Sequence, residues 1–430
     1  MWLYLIIKNY ATLGSNRNKK IVLQILETGL SAALPKGIMG KIIKKNRLVI
    51  GKNTVSLSKY DRVFVVAFGK AADSMTKIVD SLTTIKGGIV VIPKGVTSTL
   101  KNNNFKIIRA GHPVPDQNSV LAAKKIIEFL STRNDNDFVI FLISGGGSSL
   151  VTLPDGITLS EKKKVTRLLL NSGANINEIN CVRKHLSKIK GGRMAEFLKC
   201  GAVSLVMSDV VRNDLTIIAS GMTYFDKTTF GDAAKILKKY RLEKLVSKNV
   251  LRKIKLGMTH KIPETPKRAK IRNHIIATNE DCLNEMARKA RYFGFRVKVL
   301  SSISGDVRLV ARKFANVSKS YPCVIFGGET TVKVTGNGKG GRNQELVLYT
   351  LIESYKKNQN ILIGSIGTDG KDGNSNACGA IMDNSKLKIE QVYKFLKNND
   401  SYTLLKKQNA LIFTGSTHTN LMDIGIILRR

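Results

Sequence analysis

The chain has 430 residues, 43% apolar and 24% charged, which excludes a disordered chain, a collagen-like repeat and a disulfide-stapled miniprotein and leaves length for two or three domains. Lys and Arg total 71 against 31 Asp and Glu, a formal net charge of +40, so the molecule attracts anions: phosphorylated metabolites, nucleic acid or an anionic membrane surface. The basic residues are scattered along the chain and aromatic residues make only 6%, so no stacking platform for single strands is expected.

The start, MWLYLIIK, is apolar but lacks a basic flank and is too short for a signal sequence or a membrane span. Strands are predicted at 62–68, 87–93, 106–110 and 137–144, with a helix at 119–131. Helices at 158–171 and 182–199 follow, the first opening on a capping box from Thr158 to Glu161 and ending before Gly173. A strand is predicted at 202–208. Residues 241–272 are basic and contain Pro263 and Pro266; they read as a helix and then a basic linker, 251–272, dividing residues 1–250 from 273–430. A solvated surface segment accounts for that charge run more simply than a nucleic-acid-binding arm. Strands at 274–278, 296–302, 321–328, 330–336, 361–368 and 410–415 then alternate with helices at 279–293, 306–316, 342–356 and 387–397. Most strands are continuously apolar, as strands covered on both faces are. The alternation predicts an α/β chain of two domains, each a mostly parallel sheet flanked by helices.

Cys181, Cys200, Cys282, Cys323 and Cys378 are far apart and form no C-x-x-C pair, which suits reduced thiols in a cytoplasmic protein. The five His show no H-E-x-x-H spacing.

Four strands run directly into glycine loops: VFVVAFGKAA (63–72), VIFLISGGGSSL (139–150), CVIFGGET (323–330) and ILIGSIGTDGKDG (361–373). In open α/β sheets the ligand crevice lies beyond the carboxyl ends of strands. Glycine permits close backbone approach, and a following helix offers free N–H groups to an anion. Two such loops in each half point to an anionic ligand held between two domains. Lys70 follows Gly69 at a strand end, where it would neutralise phosphate charge or simply face water. Asp209, Glu329, Asp369 and Asp372 also lie at strand ends, where a carboxylate holds Mg²⁺ or accepts a hydroxyl proton, or else caps a helix or forms a turn. Arg342 opens a predicted helix and is suited to bidentate capture of a carboxylate or phosphoryl group. No G-x-x-x-x-G-K-[ST] and no G-x-S-x-G occur. GNGKGG (336–341) fits G-x-G-x-x-G and keeps a dinucleotide reading open, although no acid follows near a strand end at the required distance.

These motifs, in this order, resemble the glycerate 2-kinase family, the MOFRL-domain proteins also labelled hydroxypyruvate reductases. The stretches that carry the resemblance are AFGKAA (67–72), GHPVPDQNS (111–119), SGGGSSL (144–150), NEINCVRKHLSKIKGGRMA (177–195), SDV (208–210), IASG (218–221), GGETTVKVTGNGKGGRNQELVL (327–348), GTDGKDG (367–373) and TNLMDIGIIL (419–428), nearly the whole chain. The resemblance implies a Rossmann-like N-terminal domain, a C-terminal region at 273–430 with the MOFRL domain at about 321–426, and an active site in the interdomain cleft. It implies ATP- and Mg²⁺-dependent phosphorylation of D-glycerate to 2-phosphoglycerate, with an NAD(P)-dependent hydroxypyruvate reductase as the alternative. Lys70, Arg342 and Asp209 are the implied catalytic residues, and Asp209, Glu329 and Asp369 the implied metal ligands. Ser144, Gly145, Gly146, Gly147, Ser148 and Ser149 imply a substrate or phosphate cradle with Lys184, His185, Ser187 and Lys190; Gly340, Gly341 and Asn343 accompany Arg342. The implied partners are D-glycerate and ATP, with no specific nucleic acid and no membrane, for a monomer or a homodimer. The chain departs from the family pattern at Arg212, beside the implied base, at Met222 and Ser416, which replace Pro, and at His418, which replaces Gly.

Overall fold

The computed structural model describes residues 5–385 and 388–429; the first half of MWLYLIIK and residue 387 of the helix expected at 387–397 lie outside the described residues. The chain forms two compact units, Met39–Ile276 and Met1–Ile38 with Ala277–Arg430.

The first unit is built on β1 (Arg62–Phe68), β2 (Gly87–Pro93), β3 (Phe105–Ala110), β4 (Asp137–Ile143), β5 (Gly201–Met207) and β6 (Arg272–Ala277). Their order is β3-β2-β1-β4-β5-β6. The pairs β1–β2, β2–β3, β1–β4 and β4–β5 are parallel, with Val66 opposite both Ile89 and Phe141. This is the doubly wound order expected of the N-terminal domain. Every residue of β4 is buried, which is why its sequence shows no alternation. The chain leaves β1 in one direction and returns at β4 to build the other side, so the sheet reverses between these two strands. Their carboxyl ends carry AFGK and SGGG. Helices Gln117–Ser131, Leu159–Asn171 and Ile176–His185 begin at the capping boxes of Asp116, Thr158 and Asn175. A small antiparallel sheet, Ile43–Lys44, Arg47–Ile50 and Asn53–Ser56, precedes the main one.

Two expectations for this unit are corrected. The helix expected at 182–199 is a helix over Ile176–His185 that stops at its C-cap Leu186; beyond it Gly191 and Gly192 turn the chain at φ of +62° and +89°, and Arg193–Phe197 forms a 3₁₀ turn. Residues 251–272 are not a free linker. Helix Lys248–Met258 packs Val250 and Ile254 against Ala233 and Leu237 of helix Phe230–Lys239. The strap beyond it is pinned, since Pro263 O accepts from Arg193 Nη2 at 3.0 Å and Pro266 O accepts from Asp226 N at 2.9 Å.

The second unit contains β7 (Val297–Asp306), β8 (Cys323–Thr331), β9 (Ile361–Gly367), β10 (Gly379–Asp383), β11 (Leu411–Ile412) and β12 (Asp423–Arg429), in the order β7-β8-β12-β9-β10-β11. Only β7–β8 is parallel; the other four pairs are antiparallel. The expected mostly parallel sheet is therefore a mixed one. A continuous apolar run reports burial on both faces and says nothing about direction. Strand β12, absent from the predicted strands, is the sheet's centre, and the strand expected at 330–336 is mostly loop. The amino-terminal segment belongs to this unit: Lys8 N donates to Phe413 O at 2.8 Å, and Thr419 Oγ1 donates to Ala33 O at 2.6 Å. Helix Arg17–Ala33 buries Val22, Leu23, Leu26 and Leu30. The boundary near residue 250 thus gives way to one at Ile276, and residues up to Ile38 join the C-terminal unit. Among the described residues no single helix is long and apolar enough to cross a membrane; the bent pair Arg17–Ala33 and Pro35–Ile42 passes by length and composition, but the first helix is an apolar core element.

Candidate functional site

The reversal between β1 and β4 places two glycine loops side by side. Gly69 has φ +128°, and a Cβ there would lie 2.5 Å from the Ser144 carbonyl oxygen, so only glycine lets the backbones meet. Three hydrogen bonds stitch the loops. Lys70 N donates to Gly145 O at 2.8 Å, Ser144 N donates to Phe68 O at 3.2 Å, and Ala71 N donates to Ser144 Oγ at 2.9 Å. Gly146, at φ +84°, leads into the single turn Gly147–Leu150, where Ser149 N donates to Gly146 O at 3.1 Å. A Cβ on Gly146 would meet the His112 ring at 2.9 Å and Lys70 Cγ at 3.6 Å, so the Lys70 stem, His112 and the glycine loop share one surface. Asp209 is half-buried just past the end of β5. Arg212 follows it at φ +69°, within the turn Val211–Asn213. Met222, where the family has Pro, is buried in the unit's core.

Of the expected cradle residues, Ser148 and Lys190 converge. Lys190 Nζ donates to Ser148 O and Oγ, each at 2.8 Å, while Arg183 Nη2 also donates to Ser148 Oγ. Ser148 Oγ and Ser220 Oγ are 2.8 Å apart. Lys184, His185 and Ser187 are internal anchors. Lys184 is buried on Asp226 at 3.2 Å. His185 Nδ1 donates to Cys181 O at 2.8 Å and Nε2 faces Glu264 at 3.1 Å; burial lowers its proton affinity, which those two acceptors partly restore. Ser187 Oγ donates to Leu153 O at 3.2 Å.

In the second unit Arg342 begins helix Arg342–Tyr355, with Gly341 as its N-cap. Its Nε donates to Asp423 Oδ2 at 2.6 Å and Nη2 to Asp423 Oδ1 at 3.1 Å, a two-pronged fork, and Nη1 donates to Glu329. Burial lowers the Arg342 proton affinity, but the carboxylates outweigh it and hold the guanidinium charged. Burial pushes Asp423 up to about 6 against the pull of Arg342. Asp372 is buried and caps the helix, accepting from Asn343 N at 3.1 Å and Gln344 N at 3.0 Å. Asn343 Oδ1 accepts from Ser365 Oγ at 2.6 Å, so this side chain sets the helix in place. Asp369 is half-buried at the end of β9, and its Oδ1 accepts from Lys371 N at 3.1 Å.

Of the three acids expected to hold a metal, Asp209 stands in the first unit and Glu329 and Asp369 in the second. Among the described residues no group of three or more His, Cys, Asp or Glu is placed to hold a metal ion, and Glu329 is engaged by Arg342. The dinucleotide fingerprint fails as well. Along GNGKGG the backbone N–H groups already donate within the protein: Thr335 and Gly336 to Asn399 Oδ1 at 2.7 and 3.0 Å, Asn337 to Asn398 Oδ1 at 3.2 Å, Lys339 to Asp400 Oδ1 at 3.1 Å, and Gly340 to Asn374 Oδ1 at 2.8 Å. A loop whose donors are spent on side chains offers no nest to a pyrophosphate.

Two known families match in tandem, a domain of unknown function (DUF4147) over residues 21–255 and the MOFRL family over 322–423. The D-glycerate 2-kinase of Thermotoga maritima is 40% identical over 433 residues, covering 95% of this chain and 98% of its own. The chain belongs to the glycerate 2-kinase family. Another member, the glycerate 2-kinase of Pyrococcus horikoshii, is 39% identical over 389 residues, covering 85% of this chain and 87% of its own. The crystal structure of the Thermotoga maritima glycerate kinase superposes with a TM-score of 0.82 at 39% identity, covering 95% of this chain and 98% of that one.

Against the family expectation, the residues that sequence reasoning missed are Asp423, Arg183, Ser220 and Lys162. Lys162 left one signal: it occupies the buried stripe of helix Leu159–Asn171 with Val165 and Leu169. Asp423 opens the apolar run of β12, a place where an acid is costly unless paired.

Proposed function

We propose that this glycerate 2-kinase family chain transfers the γ-phosphoryl group of ATP to the 2-hydroxyl of D-glycerate, giving 2-phosphoglycerate. One observation carries the proposal: Lys70 and the SGGG loop are welded together at the carboxyl ends of β1 and β4, where a doubly wound sheet binds its ligand. Phosphoryl transfer asks mainly for positioning and fixed positive charge. In this proposal Lys70 neutralises charge on the transferred group and Asp209 receives the proton of the 2-hydroxyl. Arg342, held in one orientation by the Asp423 fork, supplies further charge. Mg²⁺ supplies charge neutralisation as the counter-ion of the nucleotide phosphates, a mode that needs few protein ligands, and no step depends on a protein-built metal cage. We place the enzyme in the cytoplasm, in keeping with its five free thiols.

The test is a coupled assay. The protein is incubated with ATP, Mg²⁺ and D-glycerate, and enolase is then added; enolase consumes the 2-phosphate and not the 3-phosphate. Immediate enolase flux is the expected result. ADP release without enolase flux would reject the position of transfer, and no ADP release would reject the activity.

A further inference from the structure

Lys162, Arg183 and Lys190 form a group of basic side chains that no carboxylate among the described residues pairs with. Lys162 is 4% exposed and Lys190 is fully buried. The ion pairs nearby join Lys184 to Asp226, and Arg193 and Lys253 to Asp155; among the described residues none reaches Lys162, Arg183 or Lys190. Among the described residues Lys162 Nζ has Thr152 Oγ1 as its one hydrogen-bond partner, and the buried Arg183 Nε has none. Unpaired buried cations are expensive, and proteins keep them where an anion arrives or where they stay neutral until it does. Burial pushes Lys162 down to about 7 and Arg183 to about 10, and burial with the surrounding cations pushes Lys190 down.

Lys190 and Arg183 meet at Ser148. Ser220 Oγ donates its only proton to Asn180 Oδ1 at 2.9 Å, so in the Ser148–Ser220 contact the hydrogen must come from Ser148. The lone pairs of Ser148 Oγ accept from Lys190 and Arg183. Ser148 is half-buried, whereas Ser220 is fully buried in a left-handed turn at φ +56°. The Ser148 hydroxyl is thus a donor polarised by two cations. It can turn from Ser220 to an incoming anion at little cost, because the hydroxyl it leaves loses only an optional acceptor role.

We infer that Ser148 and Arg183, backed by Lys190 and Lys162, form an oxyanion subsite that takes the carboxylate of the 2-hydroxy acid. One hydroxyl and one guanidinium suit a planar, two-oxygen group. Lys190 and Lys162 do not touch the ligand; they act through Ser148 and through their charge, as positioning residues. The inference rests on the kinase proposal for the identity of the acid, and its test does not require turnover.

Binding of D-glycerate, of the uncharged glyceramide, and of ADP is measured by calorimetry on the wild-type chain and on Ser148→Ala, Arg183→Lys and Lys190→Met, with a thermal melt of each. D-glycerate affinity should fall about tenfold or more in Ser148→Ala and Lys190→Met, glyceramide should lose its disadvantage against D-glycerate, and ADP should bind within about twofold of wild type. Lys190→Met should melt no lower than wild type without ligand, because it removes an unpaired buried cation; a merely structural lysine would lower the melt. Unchanged D-glycerate affinity in folded Ser148→Ala and Lys190→Met would overturn the subsite. Loss of ADP affinity in place of D-glycerate affinity would overturn the carboxylate assignment. Should the wild type bind D-glycerate with this dependence and transfer no phosphoryl group, the subsite stands and the kinase proposal falls.

Discussion

At the scale of single residues, position in the strand order decides which charges count. Lys70 directly follows a strand-end glycine, and its backbone N–H donates to Gly145 O where the sheet reverses. Replacing Lys70 by Ala should lower kcat by roughly a hundredfold or more with the melting temperature nearly kept, and Arg342→Ala should lower kcat likewise and the melting temperature too, because it leaves the buried Asp423 carboxylate unpaired, read from steady-state rates beside a thermal melt; near-normal turnover would remove that residue from the mechanism. Asp423 gives the proposal a pH signature. As pH falls through about 6 the carboxyl takes a proton, the fork on Arg342 loses its charge, and kcat/KM should fall on the acid side. Asp423→Asn should remove that limb and lower the plateau. An acid limb of unchanged pKa in Asp423→Asn would assign it elsewhere. The role of Asp423 was not legible, because its partner Arg342 is 81 positions away in sequence.

At the scale of elements, the loops that resemble binding motifs have opposite fates. The SGGG loop is stitched to its neighbouring strand end at the sheet's reversal point, whereas GNGKGG is tied down by side chains from 374 and 398–400. Asn399 alone accepts from Thr335 N and Gly336 N and donates to Glu345. Asn399→Ala should therefore destabilise the second unit by about 1–3 kcal/mol, measured by urea denaturation, with D-glycerate affinity unchanged. Stability within error of wild type would mean the loop is held otherwise. The pattern G-x-G-x-x-G fixes where glycine stands, and its meaning depends on whether the N–H groups remain free. The RKHLSKIKGG string shows the same limit: only Arg183–His185 lie in the helix Ile176–His185, and the rest runs as loop to the positive-φ Gly191 and Gly192.

At the scale of the whole molecule, the units do not follow the order of the chain. Residues 39–276 are contiguous and hold a complete doubly wound sheet, so this segment should express alone and melt cooperatively. Residues 277–430 alone should not, because they lack the helix Arg17–Ala33 that covers their apolar surface; a cooperative melt of 277–430 would show that cover to be dispensable. The net charge of +40 does not by itself select a partner. Lys162 and Lys190 are buried behind Ser148 with Arg183 half-buried beside them, where charge is expensive and therefore informative, and most of the rest lie on the surface, where charge costs little.

Residue order determined the α/β class, most strands of the first sheet, the capped helices and the glycine-rich ends of β1 and β4. All of these are set by local periodicity, caps and turn chemistry, which act over a few residues. Tertiary structure alone decided that β12 is the centre of a mixed sheet, that the amino-terminal helix serves the C-terminal unit, and that Asp423 grips Arg342. Strand direction, partner choice and charge pairing are settled by contacts between distant segments. An apolar run or a lone acid looks the same in sequence whichever neighbour it meets.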